Sequence, residues 1–504
     1  MAKIYGIGSI NNSLGVNKLV AVKNSQHYVW NSGTGAWDSQ SLFVPFGDKV
    51  EFAVSLDKLF AVNRLSATRT YDGNTWVTSG GLVDKAPRGA YVMPFNVRNY
   101  IADIILHGAG NSFRSRIWYS DLPTTDQQHL TWGFEQGSSL TMTAASAIVT
   151  DTAAKFLTRS IKVGDPFTIV GINGGEYTVS SVDSETQLTL TSTLTNSGTA
   201  PYWVGGNYLE YQTNNSDYIR GMGQNSQKLL AFKKNSLGRS DGISSMQDVK
   251  SAPGTTSHRS IVNIGEYTFY FHPTGIWRYN GVGSTVISGP IWDYIAGISS
   301  SNYPDIVGWN ESERYLKMAV GDITNNATGL SVTNCVLVLD TIDNQWSIET
   351  KAILPTAITT FEESNAINTY VGASDGNVYQ MDTGVSWNGV NMPSDITTGA
   401  IFPMSPEILV EFTRALAFAA PSLGLTGRYK LLYELDKRIQ KRFREFNTNT
   451  KDGGSFGGKD MVEWRFDNDH RIASGVEIFI EESSQSESYL FERLSIFYKN
   501  PTLF

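Results

Sequence analysis

Apolar residues along this chain fall in short runs that stop at Gly, Pro, Asn or Asp, the pattern of β-strands joined by tight turns. Residues 264–281 show it best. Tyr267-Thr268-Phe269-Tyr270-Phe271-His272 leads into Pro273-Thr274-Gly275, returns as Ile276-Trp277-Arg278-Tyr279, and stops at Asn280-Gly281. Pro presets one turn dihedral, and Asn and Gly accept positive φ, so the stretch predicts a hairpin followed by a second turn. Variants recur: Tyr28-Val29-Trp30-Asn31 ahead of Trp37, Thr70-Tyr71-Asp72-Gly73-Asn74 ahead of Trp76, and Val338-Leu339-Asp340 ahead of Trp346, with Asp375-Gly376-Asn377 before Tyr379 closing the series. A strand, a turn and an aromatic-capped return strand, repeated at tens of residues, mark a blade, and repeated blades make a β-propeller. The step from Trp37 to Trp76 resembles that from Trp76 to Trp118, whereas later steps are irregular. The pattern therefore predicts an irregular propeller and not a WD40 or kelch array.

Between residues 137 and 206 the rhythm changes. Pro166-Phe167-Thr168-Ile169-Val170, Tyr177-Thr178-Val179-Ser180-Ser181-Val182 and Leu188-Thr189-Leu190 alternate with period 2 between short turns, in a stretch rich in Thr, Ser and Val. That predicts a small β-barrel inserted between blades, since loop tips tolerate insertions. The last hundred residues carry long strands with charges at alternate positions, such as Glu463-Trp464-Arg465-Phe466, which predict an antiparallel sheet with one wet face. The expected fold is all-β: propeller over 1–136 and 207–400, inserted barrel over 137–206, and C-terminal strands over 401–504 that close the ring or form a platform.

Composition sharpens this picture. Of the 504 residues only 17% are charged, below the usual quarter, and the formal net charge is −8. Helix surfaces of the α/β-enzyme kind are scarce, and a dedicated double-stranded nucleic-acid binder is disfavoured. The one cysteine, Cys335, sits in an apolar strand, which predicts a buried inert thiol and excludes internal disulfides and cysteine-based zinc clusters. The apolar stretch 408–425 is broken by Glu411, Arg414 and Pro421, so no membrane span is expected, and the start of the chain lacks a signal-like apolar run. The expectation is a soluble chain made in the cytoplasm.

Candidate chemistry is sparse. Gly238-Arg239-Ser240-Asp241-Gly242 matches the serine-hydrolase elbow, but that chemistry needs a following helix and a nearby histidine, so a turn is the simpler reading. His27, His107, His129, His258, His272 and His470 show no metal-ligand spacing. Asp467-Asn468-Asp469 resembles the start of a calcium loop without its Gly and distal Glu. Residues 453–458 are glycine-rich but lack the Lys and helix of a phosphate cradle. No catalytic residue, cofactor or metal is predicted. One electrostatic feature remains: Lys437, Arg438, Lys441, Arg442 and Arg444 crowd five cations into eight residues of an acidic chain. A solvated face is the simplest account, with contact to phosphate or to an acidic neighbouring subunit as the alternatives.

Tyr71-Asp72-Gly73-Asn74-Thr75-Trp76 and the strand around Val476-Glu477-Ile478-Phe479-Ile480 resemble the tail nozzle (tail hub) proteins of short-tailed bacteriophages. Val163-Gly164-Asp165-Pro166-Phe167-Thr168-Ile169 with Tyr177-Thr178-Val179 is similar to small barrels of phage structural proteins. The resemblance implies an irregular propeller in a homohexameric ring of the virion tail, around a DNA channel below portal and adaptor proteins. It further implies neighbouring tail fibres or a needle, no catalysis, and retention then passage of double-stranded DNA at ejection. Six copies at −8 each would bring −48 formal charges, which would let DNA slide if they face the lumen. Two rivals stand beside it: a monomeric propeller that binds a host receptor or glycan, and a propeller glycosidase with paired carboxylates in its funnel.

Overall fold

A computed structural model describes most of residues 3–381, leaving out chiefly 44–48, 79–85, 106–112, 123–130 and 213–215. Between residues 386 and 499 it describes the backbone of strands only. The chain divides into two units, Met1–Asp382 and Thr383–Phe504.

The first unit holds seven antiparallel sheets in chain order, six of four strands and a last one of three. Blade 1 is Ile4–Asn11, Asn17–Lys23, Gln26–Asn31 and Ala36–Phe43; blade 2 is Glu51–Ser55, Lys58–Val62, Arg69–Tyr71 and Trp76–Val77. Blade 5 contains the 264–281 hairpin, with Phe271 opposite Ile276 and His272 opposite Gly275. Blade 7 is Pro355–Glu363, Ala366–Ala373 and Val378–Gln380. The fold is an all-β propeller with a closed barrel and a C-terminal antiparallel region, as the hydrophobic pattern predicts.

The second strand of a blade reads as an unbroken apolar run because adjacent blades cover both of its faces. Leu229-Leu230-Ala231-Phe232 is buried throughout. Leu229 and Ala231 pack toward blade 3 with Tyr100 and Ile117, while Leu230 and Phe232 pack toward blade 5 with Tyr270 and Tyr279. The core is thus a set of wedges between blades and not one central mass.

Asn or Asp recurs at the turn between third and fourth strands. Asp72 Oδ1 accepts the N–H groups of Asn74 and Thr75 at 2.8 and 2.7 Å. Asn280 Oδ1 accepts those of Val282 and Gly283 at 3.0 Å each. Asp241 and Asp340 do the same in their blades, and Asn31 Oδ1 accepts the Gly33 N–H. Satisfying these turn donors is what lets the fourth strand return in register.

Blade 3 lacks that turn, and the barrel occupies its place. Its third strand, Phe113–Tyr119, pairs with Tyr91–Phe95 through Arg98–Ile104, but its fourth, Tyr208–Glu210, arrives only after six barrel strands from Glu135 to Val204. The insertion therefore lies within a blade, where the sequence pattern placed it between blades. Its alternation follows from a one-sided core: Pro166–Ile169 and Gln187–Leu190 bury every second residue. Phe167, Val179, Leu188 and Tyr202 fill the barrel interior.

The ring closes within the first unit. Pro355–Glu363 lies beside Ile4–Asn11, with Thr356 Oγ1 donating to the Ile4 carbonyl at 2.8 Å and Ser9 Oγ to that of Thr360 at 2.6 Å. Closure by residues 401–504 is not required, and among the described residues the last propeller strand ends at Gln380, ahead of the expected boundary at 400. The second unit has one sheet of Ser394–Thr397, Gly475–Glu482, Leu425–Leu435 and Arg438–Phe446. In the other, Val410–Ala419 is flanked by Phe491–Lys499, Asp460–Arg465 and Ile472–Ala473.

Candidate functional site

The first strand of every blade lines the propeller axis. Ile7, Phe52, Met93, Met222, Val307 and Ala357 are among the walls of a cavity of about 470 Å³ there. Seven strands converging on one line leave little room, so small residues recur on them. A Cβ on Gly8 would stand 2.7 Å from Phe52 Cβ, and one on Gly308 would stand 2.6 Å from Val262 Cγ2.

One side chain spans this axis. Arg259 sits on a short 3₁₀ turn, His258–Ser260, just before the first strand of blade 5. Its Nε donates to Glu51 Oε1 at 2.9 Å, Nη1 to the Thr356 carbonyl at 2.7 Å, and Nη2 to the carbonyls of Tyr5 and Val50 at 2.8 and 3.1 Å. A planar fork with five donors suits such scattered acceptors, as an ammonium would not. Blade 5 is thereby tied to blades 1, 2 and 7.

A second cavity, of about 400 Å³, shares Glu51, His258 and Arg259 with the first and forms the mouth of the axis. Every residue around it comes from a connection entering a blade or from the second-to-third-strand end of one. Lys49, Tyr91, Tyr218, Arg220 and Thr256 to Arg259 lie at blade entries, and Arg64, Asp103 and Arg114 at the other kind. Loops on this face converge because the first strands do.

Five cations, Lys49, Arg64, Arg114, Arg220 and Arg259, line the mouth against two carboxylates, Glu51 and Asp103. Asp103 has φ of +55° at a break in the pairing register of Arg98–Ile104 with Phe113–Tyr119. Such a bulge re-aims a side chain, and Asp tolerates the left-handed region better than most residues. The buried carboxylate receives Arg114 Nε at 2.7 Å and stands 3.6 Å from Arg64 Nε. Tyr218 holds two guanidiniums at its ring, Arg114 at 3.0 Å and Arg220 at 4.1 Å from the centroid. Lys49 pairs with Asp305 at 2.8 Å and also donates to the Pro304 carbonyl. Burial, and then the Arg259 charge, hold its ammonium below the usual lysine range in spite of Asp305. Burial likewise lowers the His258 imidazole, with Arg259 and Lys49 adding to the effect and Glu51 opposing it. His258 Nδ1 accepts the Met222 N–H at 3.3 Å.

The sequence did not single out this mouth. Of the basic stretch, Arg438, Lys441, Arg442 and Arg444 fall on one strand, Arg438–Phe446, antiparallel to Leu425–Leu435. Lys437 and the side chains of the other four lie outside the described residues, as do His107, His129, His470, 453–458 and 467–469. Ser240 ends a blade strand, donates to the Ser244 carbonyl at 2.5 Å and accepts the Gly242 N–H at 3.0 Å, so its hydroxyl belongs to a turn. Cys335 is buried, which pushes its thiol up to about 12. Among the described residues no cluster of His, Cys, Asp and Glu could hold a metal, and no helix is long and apolar enough to cross a membrane.

No family model matches the chain, and no curated protein does. Among solved structures it is similar to a chain of the mitotic checkpoint complex, at 10% identity and a TM-score of 0.37, over 74% of this chain and 85% of that one. It is also similar to BamB from Moraxella catarrhalis, at 11% identity and a TM-score of 0.35, over 75% and 85%. Virginiamycin B lyase from Staphylococcus aureus is similar at 12% identity and a TM-score of 0.38, over 75% and 94%. The propeller itself is defined by its seven sheets in chain order.

Proposed function

We propose that this chain is an architectural virion protein, the nozzle of a short bacteriophage tail. It acts as one member of a six-fold ring around a DNA channel that retains packaged DNA and passes it at ejection. Support comes from the seating of the barrel. Trp118, Trp132, Phe134 and Trp203 form one buried cluster at its root, and Trp118 Nε1 donates to the Trp132 carbonyl at 2.8 Å. Arg116 lies over the Phe113 and Tyr208 rings and pairs with Glu210 at 2.6 Å. A barrel held that firmly to a blade is a lateral arm of fixed direction, as contacts between copies in a closed ring need. Arg259 crosses each propeller's own axis, bonded to blades 1, 2 and 7, so DNA would run between copies and not through one. The basic strand of the second unit would meet phosphate or a neighbouring subunit, and portal or adaptor proteins and fibres would flank the ring.

Negative-stain microscopy and native mass spectrometry of the purified chain test this reading. Six-fold rings are expected, and single chains at micromolar concentration would count against it. Reversing the sign of lumen-facing acidic residues should slow DNA ejection; an unchanged rate would remove the idea of an acidic sliding wall. A second reading, a monomeric propeller that binds a host glycan or receptor, is favoured by one observation, the cation-lined mouth.

A further inference from the structure

Most guanidiniums in the first unit are committed to protein acceptors. Arg259 makes four hydrogen bonds, and Arg114 grips Asp103 twice, at 2.7 and 3.3 Å. Arg69, outside the mouth, has a buried Nε and Nη1 without a hydrogen-bond partner, and at the mouth Arg64 and Arg220 differ from the rest in the same way. Each has a buried Nε without a hydrogen-bond partner, and among the described residues neither guanidinium donates a hydrogen bond. Their ion pairs are long, 3.6 Å to Asp103 and 3.9 Å to Asp217. Both line the same mouth, on different blades. A buried charged donor left without an acceptor is costly, so two of them at one cavity ask for a ligand that supplies acceptors.

The sign of the surroundings agrees. Lining cations exceed lining carboxylates by three, and counting Asp217 and Asp305 behind Arg220 and Lys49 still leaves an excess of one. This is a local inversion in a chain of net charge −8. The cavity, about 400 Å³, lies within the roughly 300–1,000 Å³ of small-molecule sites. Tyr91 and Tyr218 add rings, and Thr256 and Ser257 add hydroxyls.

We propose that the mouth of the propeller axis binds a small organic oxyanion, a carboxylate or phosphate on a body of about monosaccharide size, with Arg64 and Arg220 as its principal anchors. Guanidinium forks match both anions bidentately. The site does not depend on the virion reading, since it is complete within one copy and would persist in a monomer.

Calorimetric titration of the full chain with glucuronate, glucose 6-phosphate and glucose tests it. At least one of the two acids should bind and neutral glucose should not, with affinity falling severalfold when salt is raised from about 0.05 to about 0.5 M. Glucuronate alone would assign the carboxylate, glucose 6-phosphate alone the phosphate, and both the shared anion chemistry. Arg64→Gln with Arg220→Gln should weaken binding at least tenfold, and Arg64→Lys with Arg220→Lys by less. Failure of both acids to bind, equal binding of glucose, or an unaltered affinity in the glutamine variant would overturn the proposal. The first two results need only the unmodified chain, so they decide the matter even if a variant fails to fold. Ring assembly is read separately, by microscopy, so loss of one conclusion leaves the other standing.

Discussion

Arg259 and Glu51 meet at the propeller axis, Nε to Oε1 at 2.9 Å, with side chains only 10% and 13% exposed. They come from blades 5 and 2, so one ion pair fixes the spacing of elements far apart in sequence. The remaining Arg259 donors go to backbone carbonyls of Tyr5, Val50 and Thr356, which Lys could not reach together.

Arg259→Met should therefore destabilise the first unit by about 3–5 kcal/mol, because it leaves Glu51 buried and unpaired. Adding Glu51→Gln should recover part of that loss. Urea midpoints of the two single variants and the double variant measure the coupling. A single variant within 1 kcal/mol of the parent, on the order of an exposed pair, would show that the axis is not held from its centre.

The Asx turns make a second, weaker set of ties. Asp72→Ala and Asn280→Ala each remove acceptors for two backbone donors and should cost about 0.5–1.5 kcal/mol. They lie in separate blades and share no partner, so the costs should add. Acid distinguishes the Asp turns from the Asn ones. Backbone donation from Ser244 is the largest of the effects that bring Asp241 down to about 2. Its folded value lies below the unfolded one, so its contribution is complete above about pH 4 and fades as pH falls through 2. The Asn280 turn should show no such loss when turn amides are followed by hydrogen exchange across that range.

These turns are also why the propeller was legible in the sequence. Tyr71-Asp72-Gly73 and Tyr279-Asn280-Gly281 use one local device: the Asx side chain caps the turn and glycine takes φ near +98° and +89°. Both tyrosine hydroxyls donate to the glycine carbonyl, at 2.8 and 2.7 Å. Local hydrogen bonding leaves a local signature. The mouth leaves none, because Lys49, Arg64, Arg114 and Arg220 are adjacent only after blades have assembled. Asp103 was hidden for another reason: a bulge, invisible in a hydrophobic pattern, turns it into the cavity. The insertion was recognised by its alternation, but its place inside blade 3 depends on Tyr208–Glu210 pairing back to Phe113–Tyr119, a contact across the whole barrel.

His272 gives a pH dependence of its own. Its Nδ1 accepts the Thr274 N–H at 3.1 Å, which requires the neutral ring, and only 9% of the residue is exposed. Burial, and then the nearby Lys234 charge, lower its imidazole to about 4. The folded value is below the unfolded one near 6.5, so the unfolded chain takes up the proton first and stability drops as pH falls from about 6.5 to 4. The full loss is on the order of 3 kcal/mol. His272→Gln should flatten that part of the stability profile, as measured by urea denaturation at pH 7 and pH 4.5. A variant whose profile parallels the parent would place the titration elsewhere.

The barrel offers the strongest test of how the chain is built. Its interior is closed and apolar, with Leu140, Phe156, Phe167, Val179, Leu188 and Tyr202 buried together, so residues 134–206 should fold when expressed alone. The propeller should tolerate the reverse operation less well. Replacing 133–206 with a short Asp-Gly turn joins the blade 3 strands without the barrel, yet strips Phe134 and Trp203 from the cluster around Trp118. Removing large aromatic partners from a filled core costs about 3–5 kcal/mol each where nothing refills the space. The excised propeller should therefore bind a hydrophobic dye and unfold at lower urea than the parent. Trp118→Leu in that background should regain solubility by shrinking the exposed face. If the excised form were as stable as the parent, the aromatic root would be a passive tether, and the barrel a freely swinging appendage instead of a fixed arm.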